Sequence, residues 1–284
     1  MSVIYKDHPI RSDYKSMSTK ALKALWADLL GKAPIDRYLL SESVKVIKGE
    51  KVGYLTGVQY MTANLKIGKD HTCAGEKKAK CGEWCLVMSG HMAGKGAIEA
   101  RADRLALLTR NPSLYFELLS RELRALEKRA ARKGFKPAGR LNGTTDLDWT
   151  RITFEGRTIF EHFPGITWYD YTKVPTIAEN YSRAGVSITF SFYKKVPIDT
   201  LIGLLDRGVN IAIAYRDRLP IAQVLGGRMV DVINGDEHDL RFLDRRGVIV
   251  GLKYKNQTMH DRAREVNQTT DQSGFIVSSD YVIQ

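Results

Sequence analysis

Cysteine is scarce and confined in this chain. Its 284 residues hold three, Cys73, Cys81 and Cys85, within thirteen positions of one another. An odd set of thiols cannot pair off completely, which excludes a disulfide framework and points to a reducing, cytoplasmic compartment. Long apolar runs are missing too, and none approaches the roughly 18 residues of a membrane span. The first residues, MSVIYKDHPIRSDYKS, are polar and charged, unlike a secretory signal. No G-x-x-x-x-G-K-[ST] loop occurs, which argues against a P-loop ATPase. The six histidines contain no His-x-His pair, which removes the metal motif of rolling-circle relaxases. Internal repeats and low-complexity tracts are absent. Acids are in deficit: 32 Asp and Glu stand against 44 Lys and Arg, a formal net charge of +12. That balance calls for a polyanionic partner, a nucleic acid or nucleotide.

What the chain does contain is concentrated in residues 71–96, a loop rich in glycine and lysine that carries every thiol. Free cysteines are ordinarily buried singly, so this clustering reads as a ligand set. Soft thiolates suit an iron–sulfur cluster, with zinc as the alternative. Three cysteines leave a fourth position, which His71 or His91 would fill in a structural site and a substrate or cofactor in a catalytic one. Directly after the loop, residues 101–140 hold eleven Lys and Arg against four acids. Within them Arg121, Arg124, Lys128 and Arg132 recur along one face of an expected helix that starts at Pro112 and ends at Gly134. Such a face is commonly just solvated; beside a ligand loop it is also a candidate phosphate-binding stripe.

Residues 18–30 read as an amphipathic helix capped by Ser18 and stopped by Gly31, and residues 43–48 as an edge strand or hairpin arm. Together residues 1–50 form a helical or hairpin appendage, followed by a single domain over 51–284. Residues 52–67 are expected to contain a strand leading into the cysteine loop. After two helices, strands over 138–144, 166–172, 186–192, 209–215, 229–233 and 248–255 alternate with helices, among them 155–163 and 198–206. That alternation predicts an α/β fold with a mostly parallel sheet: a full or partial (β/α) barrel, or an open doubly wound sheet.

In either architecture the C-terminal strand ends share one mouth. Asn142, Thr144, Asp146, Asp170, Tyr171, Lys173, Ser191, Asp236, Asp239, Lys253 and Lys255 are expected there. Asp170, Lys173, Asp146 and Asp236 are the catalytic candidates, and Asn142, Thr144 and Ser191 the cofactor-binding ones. An aspartate inside an apolar strand is costly unless it is paired or lines a wet cavity, which singles out Asp170 as a barrel-lining acid. The acidic stretch 231–244 reads as a turn at Asn234-Gly235; as a divalent-metal site it would use Asp236, Glu237, His238 and Asp239.

Six blocks in order carry a family resemblance: the cysteine loop, LNGTTDLDW (141–149), TWYDYTK (167–173), NYSRAGVSITFS (180–191), VINGDEHDLRFLD (232–244) and VIVGLKYK (248–255). Across about residues 55–276 the chain resembles the phage gene product 88 domain family, which implies residence in the host cytoplasm. That family's cysteine loop and βα pattern are similar to radical S-adenosylmethionine proteins, in which three cysteines hold a [4Fe–4S] cluster. The resemblance implies Cys73, Cys81 and Cys85 as cluster ligands, S-adenosylmethionine as a candidate occupant of the open iron, and an enzyme acting on a nucleic-acid component. The spacing here is C-x7-C-x3-C rather than the C-x3-C-x2-C of that superfamily. Two other readings stand beside it: a metal-dependent nuclease or replication initiator, and a non-catalytic DNA-binding protein with structural zinc.

Overall fold

The structure, a computed structural model, describes residues 2–33, 37–41, 48–82, 85, 87, 90–254 and 276–284. In chain order its elements begin with α1 (Ser12–Ser16), α2 (Thr19–Leu30), β1 (Leu40–Ser41), β2 (Tyr54–Gln59), β3 (Lys66–Ile67) and β4 (Asp70–His71). Next come α3 (Glu76–Ala79), α4 (Lys95–Arg110), α5 (Pro112–Lys133), β5 (Lys136–Arg140), β6 (Thr153–Phe154), β7 (Arg157–Thr158) and α6 (Ile159–His162). The remainder are β8 (Thr167–Thr172), α7 (Pro175–Arg183), β9 (Ser187–Ser191), α8 (Ile198–Asp206), β10 (Asn210–Tyr215), β11 (Ala222–Leu225), β12 (Arg228–Asn234), β13 (Ile249–Lys253) and β14 (Ile276–Val277).

Ten strands share one sheet in the order β1-β2-β5-β8-β9-β10-β13-β12-β11, with β14 beside β10. β2/β5, β5/β8, β9/β10, β10/β13 and β12/β13 pair parallel, while β1/β2 and β11/β12 pair antiparallel. The fold is therefore mixed α/β with a mostly parallel central sheet, and of the expected architectures the full barrel is not found: no closed barrel forms among the described residues. The physical reason lies at its two ends. β12 precedes β13 in sequence yet lies outside it, and antiparallel β1 and β11 terminate the path, so β2 and β13 do not meet across a barrel seam. Contacts divide the chain into two compact units: residues 1–73 with 94–169, and residues 74–93 with 170–284. The N-terminal helices α1 and α2 fall in the first unit and pack on α5. The strand expected at 43–48 falls on residues 42–47, almost wholly outside the described residues.

In the first unit, α5 lies across β2 and β5. Its start is set by Asn111, whose side chain accepts from Leu114 N, and by Pro112 in the first turn; Gly134 ends it at φ 70°. Leu119, Leu123, Leu126 and Ala130 are its buried stripe. The helix approaches closely because Gly57 has no side chain: a Cβ there would lie 3.3 Å from Leu126 Cδ2. One strand further on, the Trp168 ring lies where a Gly139 Cβ would be, 2.4 Å from its position. Of residues 155–163, expected to be helical, only Ile159–His162 are; residues 153–158 form a hairpin. Glu155 and Gly156 both have positive φ, the signature of a two-residue turn, and Thr158 then caps the short α6 in a capping box with Glu161.

Arg121 fastens the N-terminal segment to α5. Its guanidinium donates to the carbonyls of Tyr14 (3.0 Å), Lys15 (3.3 Å) and Met17 (2.7 Å) and pairs with Glu117 at 2.7 Å. Nearby, His8 is buried, donates Nε2–H to Ile4 O at 2.9 Å and packs on Phe116. Burial holds its pKa below the ordinary histidine value. A depressed folded-state pKa contributes stability above the unfolded value that is lost as pH falls. Urea midpoints are therefore expected to drop on acidification from about pH 7 to pH 5, and the His8→Gln variant to lose that part of the slope.

In the second unit, α7 starts at Pro175 and buries Ile177, Ala178 and Tyr181, while α8 buries Leu201, Leu204 and Leu205. Gly226 and Gly227, at φ 57° and 77°, turn β11 into β12. Asn210 donates to Arg245 O at 2.7 Å and accepts from Val248 N at 3.1 Å, tying β10 to the segment that enters β13. β14 takes the edge of β10 at Ala214 and Tyr215, beyond the residues that β9 pairs.

Candidate functional site

The first cysteine belongs to the first unit and is fixed by backbone contacts. Cys73 Sγ accepts from Asn64 N at 3.2 Å and lies 3.9 Å from Thr144 O. Its own N–H donates to His71 Nδ1 at 3.0 Å, so that ring nitrogen is already committed. Cys73 and Asp146 form an isolated parallel bridge in which Asp146 N donates to Thr72 O at 2.7 Å. Thr144 donates its hydroxyl to Met61 O. The segment 141–149 thus backs directly onto Cys73.

Asn142 is held by its own loop. Its Oδ1 accepts from Thr145 Oγ1 (2.9 Å), Leu147 N (3.0 Å) and Trp149 Nε1 (3.3 Å), while Nδ2 donates to Leu147 O (2.9 Å). At 3% exposure these bonds organise the loop from within. Gly143 completes it by donating to Gln59 O at 2.9 Å, an approach that a Cβ 2.5 Å from that oxygen would block.

The other two cysteines belong to the second unit. Cys81 and Cys85 are half-buried and stand outside any helix or strand. Burial pushes the Cys81 thiol up, the Lys173 ammonium pulls it down, and the charges of Cys85 and Glu76 push it up again. Each of these groups therefore lies within electrostatic reach of Cys81. Lys173 follows β8 and sits close under Gly75, where a Cβ would come within 2.9 Å of the Lys173 Cβ. Gly75 thus lets the loop settle against that strand end. Among the described residues no three His, Cys, Asp or Glu side chains converge as a metal site. His91 is exposed in a single 3-10 turn.

The strand ends of the same unit hold Asp170, Tyr171, Ser191, Asp236, Asp239 and Lys253. Asp170 is 2% exposed and accepts from Tyr171 N at 3.0 Å. Tyr171 Oη reaches Asp239 at 3.4 Å. Asp236 accepts from Lys253 N at 2.9 Å and donates its own N–H to Asn234 Oδ1 at 3.0 Å. The acidic stretch is thus a built turn hinged at Gly235. Ser191 is half-buried at the end of β9, and Lys255 lies outside the described residues. Sequence reasoning passed over Arg241, buried beneath that turn, which donates to His238 O and pairs with Asp244 at 3.2 Å. Burial pushes the Asp244 carboxyl up while Arg241 pulls it back. The i, i+3 spacing of Arg241 and Asp244 was the available signal.

Of the four α5 cations expected to form a phosphate-binding stripe, Arg121 spends its donors on the fold, whereas Arg124, Lys128 and Arg132 are exposed. No helix among the described residues is long and apolar enough to cross a membrane.

Fold and site together define an open, mostly parallel α/β protein with a thiol-bearing loop and a cationic helix face. It belongs to the gene product 88 family of phage proteins, whose sequence model matches residues 39–278. No curated protein and no solved structure matches it.

Proposed function

We propose that this is an iron–sulfur protein acting on a nucleic-acid or nucleotide substrate, with thiolates of the 71–96 loop as cluster ligands. The observation that carries the reading is the placement of Cys81 within electrostatic reach of Cys85 and Lys173, in a loop that Gly75 seats at the end of a sheet strand. Thiolates are the ligands such clusters use, and strand ends are where open α/β sheets bind ligands. The net charge of +12 and the exposed Arg124, Lys128 and Arg132 support a polyanionic substrate.

Burial dominates at Cys81, so in the absence of metal it is a protonated thiol, and metal uptake displaces a proton. Anaerobically purified or reconstituted protein is expected to hold about four iron and four sulfide per chain and to absorb broadly in the visible. Reconstitution should proceed further at pH 8.5 than at pH 6.5, because the higher pH lies nearer the ordinary thiol pKa of about 8.5 and eases release of the proton. Cys81→Ser and Cys85→Ser should each lose the chromophore. Colourless wild-type protein without iron after reconstitution overturns the cluster, and stoichiometric zinc in its place would select the zinc reading.

A further inference from the structure

A cleft of about 310 Å³ opens in the first unit, against the same face of α5 that carries the exposed cations. Ile10 and Lys15 border it on one side, Glu117, Ser120 and Arg124 of α5 on a second, and Phe154, Glu155, His162 and Phe163 on a third. Its volume is at the lower end of small-ligand sites. The aromatic wall is tightly built. The His162 and Phe154 rings stack with centroids 3.9 Å apart, and the Arg124 guanidinium lies 5.9 Å from the Phe163 centroid. Two ion pairs border the space, Lys15 with Glu155 at 2.5 Å and Arg121 with Glu117 at 2.7 Å, and Arg124 adds a further cation.

Ser120 is the telling residue. It is 3% exposed and lines the cleft, and its hydroxyl makes no hydrogen bond with the described residues. Helical serines commonly bond back to the carbonyl one turn earlier. Here the hydroxyl remains available to whatever enters.

From the cleft, Arg124, Lys128 and Arg132 continue along α5 at steps of four residues, about 6 Å apart along the axis. We infer that the cleft receives one base of a single-stranded nucleic acid whose phosphates track Arg124, Lys128 and Arg132. The fit is chemical. A base offers a flat face to the His162 ring and the Arg124 guanidinium plane, and an edge of mixed donors and acceptors to Ser120 and the Lys15–Glu155 pair. The phosphates meet the cationic row. A duplex keeps its bases stacked and cannot deliver one to the cleft without extrusion. This inference rests on the nucleic-acid half of the proposed function and is independent of the cluster half.

The test is fluorescence anisotropy with the full chain and a 5′-labelled oligothymidylate of twelve residues, against the same strand in duplex form and an abasic strand of equal length. Single-stranded binding should exceed duplex and abasic binding by about tenfold, the range of one stacked base. Ser120→Leu, which fills the cleft, should lower single-strand affinity by about tenfold and leave the salt dependence unchanged. Lys128→Gln with Arg132→Gln should instead reduce the slope of log K against log salt by about 1.4, from roughly 0.7 per phosphate contact. The abasic strand needs no variant, so it decides the matter even if Ser120→Leu folds poorly. Equal affinity for all three probes, or no binding at all, overturns the inference. Tight single-strand binding by protein that holds no iron sinks the cluster and leaves the cleft standing.

Discussion

Replacing Arg104 with leucine is expected to cost about 3–5 kcal/mol of stability, the range for stripping one partner from a buried ionic network. Arg104 is 7% exposed and donates to Tyr38 O (2.8 Å), Tyr60 O (3.3 Å) and Ser41 Oγ (3.1 Å). Glu122 lies in the same network and accepts from Leu39 N at 2.9 Å and Leu40 N at 2.8 Å. Burial pushes its carboxyl up, and the Arg104 and Lys23 charges restrain it. Leucine leaves two carbonyls without donors and removes one of those charges. The sign with pH follows: a carboxyl with a raised folded pKa contributes stability below its unfolded value and loses it as pH rises. The deficit of Arg104→Leu relative to wild type should therefore widen as pH rises through the carboxylate range. Arg104→Lys should recover only part, because an ammonium cannot span three acceptors in the plane of the fork. Urea midpoints between about pH 4 and pH 8 measure this. A loss below about 1 kcal/mol would show that the network contributes little.

Asn142→Ala is expected to cost about 2–4 kcal/mol, from four hydrogen bonds worth roughly 1 kcal/mol each. The cost should be accompanied by a change around Cys73, since Thr144 supplies that thiol with a carbonyl neighbour. Thiol-reagent kinetics at Cys73, measured with Cys81 and Cys85 replaced by serine, should accelerate in Asn142→Ala. Asn142→Asp keeps the three-fold acceptor but turns the donor toward Leu147 O into a second acceptor, so it should fall between alanine and wild type. Unchanged stability and unchanged Cys73 reactivity in Asn142→Ala would remove Asn142 from any organising role.

These two positions also show what the sequence could and could not convey. Helix limits were legible because they are local: Ser18, Gly31, Pro112 and Gly134 mark ends that the structure keeps. Most strands were legible from runs of β-branched and aromatic residues. Barrel closure was not, because whether the outer strands meet depends on stagger accumulated over the whole sheet. The hairpins at Glu155-Gly156 and Gly226-Gly227 had a legible signal in their turn residues, and helical or strand periodicity on either side obscured it. Polar residues were the hardest. Asn142 and Arg121 have the look of site residues, and only the partners show that their hydrogen bonds turn inward. The cysteine loop was legible as a cluster of thiols and not as a geometry, since Cys81 and Cys85 stand outside any helix or strand.

The Arg121 clamp has a consequence for how this chain can vary. It grips residues 14–17 through carbonyl oxygens, atoms that every amino acid presents alike. The match to the gene product 88 family begins at residue 39, so the gripping residue lies inside the common region and the gripped segment outside it. A substitution at Lys15 that keeps the backbone path leaves those acceptors in place. The clamp itself is thus indifferent to the letter at position 15, whereas the buried Ile4, His8 and Tyr14 tie the leading segment to particular side chains.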